Sequence, residues 1–149
     1  MARVTRTRTI AAPVGEVWKL VSDPYNLPRW WPRTSRVESV TGDGGRRTRW
    51  TKVLETAEGR GVRADYRCLS SAERERYVWE QELEGTPFER HLRASRVEIG
   101  MRARDGATEV MLSTQQTLKG ISRLGSPLMR RGQREVLDEA LDGIERALG

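Results

Sequence analysis

A chain of 149 residues with a formal net charge of +6 and a sequence pI of about 10.2 fits one domain, which at this size buries roughly 68–70% of its unfolded surface. No stretch approaches the ~20 apolar residues of a membrane span, and Met1-Ala2-Arg3-Val4-Thr5-Arg6 lacks the apolar centre of a signal peptide, so a cytoplasmic protein without a transmembrane segment is expected. One cysteine, Cys68, excludes an internal disulfide, and with a single histidine, His91, there is no Cys/His cluster for a metal; neither metal nor cofactor is expected.

The basic residues are 24 arginines and 3 lysines, spread from Arg3 to Arg146 in runs no longer than two, with carboxylates interleaved as in Arg74-Glu75-Arg76. That spacing describes a solvated surface better than a phosphate-binding face, so no nucleic-acid partner is expected. A basic module for RNA or anionic lipid is the outlying alternative.

From Val4 to Ile10, Thr5, Thr7 and Thr9 alternate with Val4, Arg6, Arg8 and Ile10, which predicts a strand near a sheet edge. Pro13 suits the first position of a helix, and Val14, Val17, Trp18 and Val21 follow the i, i+3, i+4, i+7 rule. Asp23-Pro24 restarts the chain as cap and first-turn proline of a second, short helix. Pro28 and Pro32 bracket Arg29-Trp30-Trp31, a pair of large aromatics placed to plug the space between a helix and a sheet or to touch a ligand.

From Thr34 to Leu118 the period changes to two. Val37 to Val40 opens a strand, and Gly42-Asp43-Gly44-Gly45 makes a hairpin turn. Thr48, Trp50, Lys52 and Leu54 then share one face. Gly59 and Gly61 mark a turn before Val62, Ala64, Tyr66 and Cys68, and Ser70-Ser71 precedes Tyr77, Trp79, Gln81 and Leu83. Phe88 to Arg104 changes phase, which predicts a bulge near Ser95-Arg96. Asp105-Gly106 is the strongest two-residue hairpin signal, leading into Thr108, Val110, Leu112, Thr114, Gln116 and Leu118 on one face. Last comes a long amphipathic helix within Ile121 to Leu148, with Leu137, Leu141, Ile144 and Leu148 on one side and charged residues on the other.

Strands grouped apart from helices predict an α+β fold in which about seven antiparallel strands curl around the C-terminal helix. This order, with Ile10-Ala11-Ala12-Pro13 and Glu16-Val17-Trp18, Ser22-Asp23-Pro24, Trp30-Trp31-Pro32, Gly106-Ala107-Thr108-Glu109-Val110 and Lys119-Gly120, resembles the helix-grip superfamily called SRPBCC. That superfamily includes START lipid-transfer domains, birch-pollen-allergen-like proteins and polyketide cyclase/dehydrase-like proteins.

The resemblance covers nearly the whole chain and implies a single ligand-binding domain. Its cavity, between sheet and helix, would take a hydrophobic or amphipathic small molecule. The candidate ligand-binding residues are Trp50, Tyr66, Tyr77, Trp79, Gln81, Leu112, Thr114 and Gln116 on the strands, with Leu124, Leu128 and Met129 where the long helix starts. Tyrosine and tryptophan in such number suit a cavity better than a dry core, because their polar tips need partners.

Binding or transport is one reading. The alternative is a cyclase or dehydratase, for which His91 is the weak catalytic candidate, as general acid or base if it faces inward. No nucleophile elbow, metalloprotease motif or phosphate loop occurs. A monomer or a homodimer fits equally.

Overall fold

The computed structural model describes all residues except Met1, Gly44, Arg46 and residues 56–60 and 121–125. The strands are β1 (Ala2–Ile10), β2 (Thr34–Thr41), β3 (Arg49–Glu55), β4 (Gly61–Ala72), β5 (Arg76–Glu82), β6 (Leu92–Arg104) and β7 (Ala107–Leu118). The helices are α1 (Val14–Val21), α2 (Leu27–Trp30) and α3 (Ser126–Leu148). All strands join one antiparallel sheet in the order β1-β7-β6-β5-β4-β3-β2. Chain neighbours from β2 to β7 thus pair in a meander, while β1 returns to close on β7. This is the helix-grip arrangement, a curved sheet holding one long helix.

The edge position of β1 explains its mixed inner face. Val4 and Ile10 are buried in the core, whereas Arg6 reaches Asp138 at 3.3 Å and Arg8 reaches Asp142 at 2.5 Å and Glu145 at 2.8 Å. The arginines between the apolar residues meet the acidic flank of α3 and set the helix across β1. On the same helix Leu137, Ala140, Leu141 and Ile144 are fully buried against the sheet. No helix among the described residues is long and apolar enough to cross a membrane.

Two local devices fix the short helices. Asp23 accepts a hydrogen bond from the Tyr25 amide at 3.0 Å and starts a 3-10 turn over Pro24–Asn26 that leads directly into α2. Gly143 of α3 then lets α2 approach: a Cβ there would lie 2.2 Å from the Trp30 carbonyl oxygen. The missing side chain is therefore a packing requirement. It brings the Trp30-Trp31 pair down onto the sheet.

The strand ends differ from expectation in two places. Phe88 lies not in a strand but in a 3-10 turn over Pro87–Arg90, because Pro87 presets the helical φ and the Thr86 hydroxyl ties back to the Leu83 carbonyl at 2.7 Å. The register shift in β6 accordingly falls between Leu92 and Ala94 rather than near Ser95-Arg96. Likewise β4 runs on to Ala72 through a bulge between Cys68 and Ser70. The Asp105-Gly106 hairpin forms as expected, with φ of +50° and +81° at the two residues. The Gly59 turn lies outside the described residues.

Candidate functional site

The register aligns inward side chains of different strands in rows. Trp50 of β3 faces Tyr66 of β4, which faces Gln81 of β5. A second row runs Cys68, Trp79, Val97, Thr114 and Val4 across five strands. Trp50 and Tyr66 stack with centroids 6.1 Å apart and planes 12° apart, and Trp79 meets Trp50 edge-on at 6.0 Å. Trp31, delivered by α2, sits edge-on to Trp79 at 5.3 Å and to Trp30 at 5.5 Å. The proline-bounded pair is thus a plug, and Trp31 also forms a wall.

Between this aromatic cluster and α3 lies a pocket of about 150 Å³. Trp31 and the strand residues Lys52, Tyr66, Trp79 and Gln81 form one side. Ser95, Arg96 and Val97 of β6 with Thr114 and Gln116 of β7 form the other, and Gln133 and Val136 of α3 cover it. The Gln116 side-chain amide donates to the Ser95 hydroxyl at 3.2 Å, which orients two of the polar groups. A wider groove of about 530 Å³ at the sheet rim, among Arg49, Arg67, Glu80, Glu82 and Arg93, shares Gln81 and Ser95 with the pocket. A further depression of about 270 Å³ lies outside, between the Pro28–Pro32 segment and Glu139, Asp142 and Arg146.

Of the residues expected at the site, Tyr66, Trp79, Gln81, Thr114 and Gln116 meet in this pocket. Trp50, Tyr77 and Leu112 do not line it: they belong to the packed core, each at most 2% exposed. Their phase is inward, but neighbouring core side chains cover them. Leu128 is 77% exposed, because at 3.6 residues per turn it stands about 180° round α3 from the buried Leu137. Met129 is half-buried and also outside the lining, and Leu124 lies outside the described residues. His91 is exposed, follows the Pro87–Arg90 turn and stands outside the pocket, its carbonyl accepting the Lys119 amide at 2.9 Å.

Lys52 is absent from the residues that the sequence singles out, although its phase is that of Trp50. It is only 6% exposed. Its ammonium lies 4.8 Å from the centroid of the Tyr66 ring and 5.5 Å from that of Trp31. Among the described residues it makes no hydrogen bond or ion pair. Cation–π contacts supply about 0.5–2 kcal/mol each, whereas burying an ion costs several kcal/mol. Desolvation wins, and it lowers the Lys52 pKa from 10.5 to about 8. The same desolvation pushes the Tyr66 phenol above its usual value of 10, so it remains a hydroxyl donor at neutral pH. Tyr77 is raised too, by burial first and then by Cys68 beside it.

Several solved structures share this architecture. TTHA0849 from Thermus thermophilus superposes with a TM-score of 0.77 at 22% identity, over 99% of this chain and 97% of that one. A START superfamily protein from Mycobacterium smegmatis gives 0.77 at 16% identity, over 98% and 96%. The di-domain ARO/CYC protein BexL from the BE-7585A biosynthetic pathway gives 0.77 at 22% identity, over 98% of this chain and 46% of that one. At these identities the likeness shows the fold. No curated protein matches the sequence. The sequence itself matches the family described as "Polyketide cyclase / dehydrase and lipid transport" over residues 1–149. The chain belongs to the polyketide cyclase/dehydrase and lipid transport family.

Proposed function

We propose that this chain is a single ligand-binding domain that binds or transports a hydrophobic or amphipathic small molecule, lipid- or polyketide-like, with its inner end in the pocket beneath α3. The observation that carries the reading is the composition of the wall: the faces of Trp31, Tyr66 and Trp79 lie beside the polar ends of Gln81, Thr114, Gln116 and Gln133. Apolar faces with a few convergent polar groups are the usual make-up of a small-molecule site. A cavity of about 150 Å³ matches the space that holds one benzene-sized group, and the adjoining rim groove accepts what extends beyond it. The protein acts in the cytoplasm, as a monomer or homodimer without a nucleic-acid partner. Native mass spectrometry and a thermal-shift screen test this reading. A retained or stabilising amphipathic molecule supports it, and a bare protein that no lipid or aromatic polyketide stabilises overturns it.

The second reading, a cyclase or dehydratase using the same pocket, has one observation in its favour. Two protonatable groups, Lys52 and Tyr66, meet there. The protonated phenol of Tyr66 is suited to donate to a substrate carbonyl as negative charge develops on its oxygen. Loss of turnover in Tyr66→Phe with retained binding supports this reading; a polyketide-like substrate that is bound but never converted counts against it.

A further inference from the structure

The chain carries 21 carboxylates, and its outer surface uses them heavily: Glu38 engages Arg36 and Arg63, Glu80 engages Arg67 and Arg96, and Glu109 engages Arg102 and Arg104. The pocket wall follows the opposite rule. Among the described residues it contains two cationic side chains, Lys52 and Arg96, and no carboxylate. Arg96 is exposed at the rim and lies 3.8 Å from Glu80. Lys52 is buried, with the ring faces of Trp31 and Tyr66 beside its ammonium. Besides Tyr66, the other polar side chains on the wall, Gln81, Ser95, Thr114, Gln116 and Gln133, are neutral, and each carries an N–H or O–H donor beside an acceptor oxygen. A buried cation on a wall without a carboxylate lacks an anion.

We infer that the pocket selects amphipathic ligands that carry a carboxylate, and that Lys52 pairs with that carboxylate at the inner end while Trp31, Tyr66 and Trp79 hold the apolar body. This inference rests on the ligand-binding reading above and names its ligand class. Coulomb attraction between the ammonium and a carboxylate, screened little by water inside the pocket, gives the pair its strength. The donors of Gln81 and Thr114 share the second carboxylate oxygen, so bound acid replaces the hydration that Lys52 loses on folding. A neutral alcohol or ester of the same shape leaves the cation unpaired and gains only the apolar contacts.

The ionisable side chains that share the wall with Lys52 are Tyr66 from β4 and Arg96 from β6; Trp31 and the α3 residues Gln133 and Val136 do not titrate. Desolvation brings Lys52 to about 8, so binding of the acid weakens as pH rises past that value and the ammonium is lost. A bound carboxylate moves the loss to higher pH.

The test uses a matched panel: octanoate, phenylacetate and 2-naphthoate, each beside its methyl ester, titrated into the full chain and into Lys52→Met by calorimetry and tryptophan fluorescence. At neutral pH each acid that fits is expected to bind the wild type about tenfold or more tighter than its ester. Lys52→Met abolishes that preference, bringing each acid to about the affinity of its ester. Equal affinity for acids and esters, or equal loss of both in Lys52→Met, overturns the carboxylate inference and leaves ligand binding standing. Binding of neither class to the wild type overturns both readings. Methionine keeps the buried stem, and a circular dichroism spectrum and cooperative melt confirm the fold. Lys52→Arg supplies the complementary check: partial recovery of acid preference supports the ion pair.

Discussion

Replacing Lys52 by methionine isolates the energetic cost of the unpaired cation. In the absence of ligand, burial lowers its pKa from 10.5 to about 8. At about 1.36 kcal/mol per pKa unit, the charged amine is roughly 3 kcal/mol less favourable in the folded chain than in the unfolded one. Methionine keeps the aliphatic stem against the wall but gives up the two ring contacts; sharing one ammonium, they do not add in full and together offset about 1–2 kcal/mol. The net expectation at neutral pH is a gain of about 1–2 kcal/mol, or a Tm higher by roughly 2–8 °C at 2–4 °C per kcal/mol for a domain near this size.

The pH dependence has a definite sign. The folded pKa lies below the unfolded one, so between about 8 and 10.5 the unfolded chain holds more protons and wild-type stability rises with pH. The advantage of methionine is therefore full at neutral pH and fades as pH climbs through that window. Urea unfolding of both proteins near pH 7 and about pH 9.5, followed by tryptophan fluorescence, reads both effects. A variant less stable than wild type at neutral pH, with a difference that does not move with pH, would refute the reasoning: Lys52 would then already be compensated.

Other consequences concern the frame around the pocket. Gly143→Ala places a methyl 2.2 Å from the Trp30 carbonyl oxygen; overpacking of about 1–3 kcal/mol outweighs the ~1 kcal/mol alanine gains in a helix, and urea unfolding should show a net loss. Thr108→Val removes the buried 2.7 Å hydrogen bond to the Ala12 carbonyl and should cost about 1–2 kcal/mol in the same assay. Arg8→Ala cuts two ion pairs at the α3 flank, but these are largely exposed, so a loss under about 1 kcal/mol that shrinks in high salt is expected. His91→Ala should leave ligand affinity unchanged within about twofold, since surface substitutions away from a site shift energies by no more than ~0.5 kcal/mol.

The alternation of polar and apolar residues made the strands legible, and the Asp105-Gly106 turn is a local signal that tertiary packing did not override; Pro13 marks the helix start to within one residue, as the extended N-cap before Val14 rather than the first helical position. Phase tells which face a residue occupies, and Tyr66, Trp79, Gln81, Thr114 and Gln116 share the face that the pocket opens on. It does not tell depth. Trp50, Tyr77 and Leu112 share that face but are covered by their neighbours, and only the position of α3 separates core from pocket. Lys52 has the phase of Trp50; residue type, which places lysine outside, obscures it. Leu128 is apolar but lies about 180° round α3 from Leu137 at 3.6 residues per turn, so its apolar character says nothing of burial. Gly143 carries no period at all, and its role needs the Trp30 backbone to be seen.

The chain has five tryptophans, so their five indole N–H resonances give a direct map of where a ligand sits. Titration with a bound amphipathic molecule, observed by nitrogen–proton NMR, should move Trp31 and Trp79, which line the pocket, most strongly. Trp18, which packs on Tyr77 away from it, should move least. Shifts concentrated at Trp18, or saturable binding that leaves Trp31 and Trp79 unmoved, would contradict the claim that the space beneath α3 is the binding site.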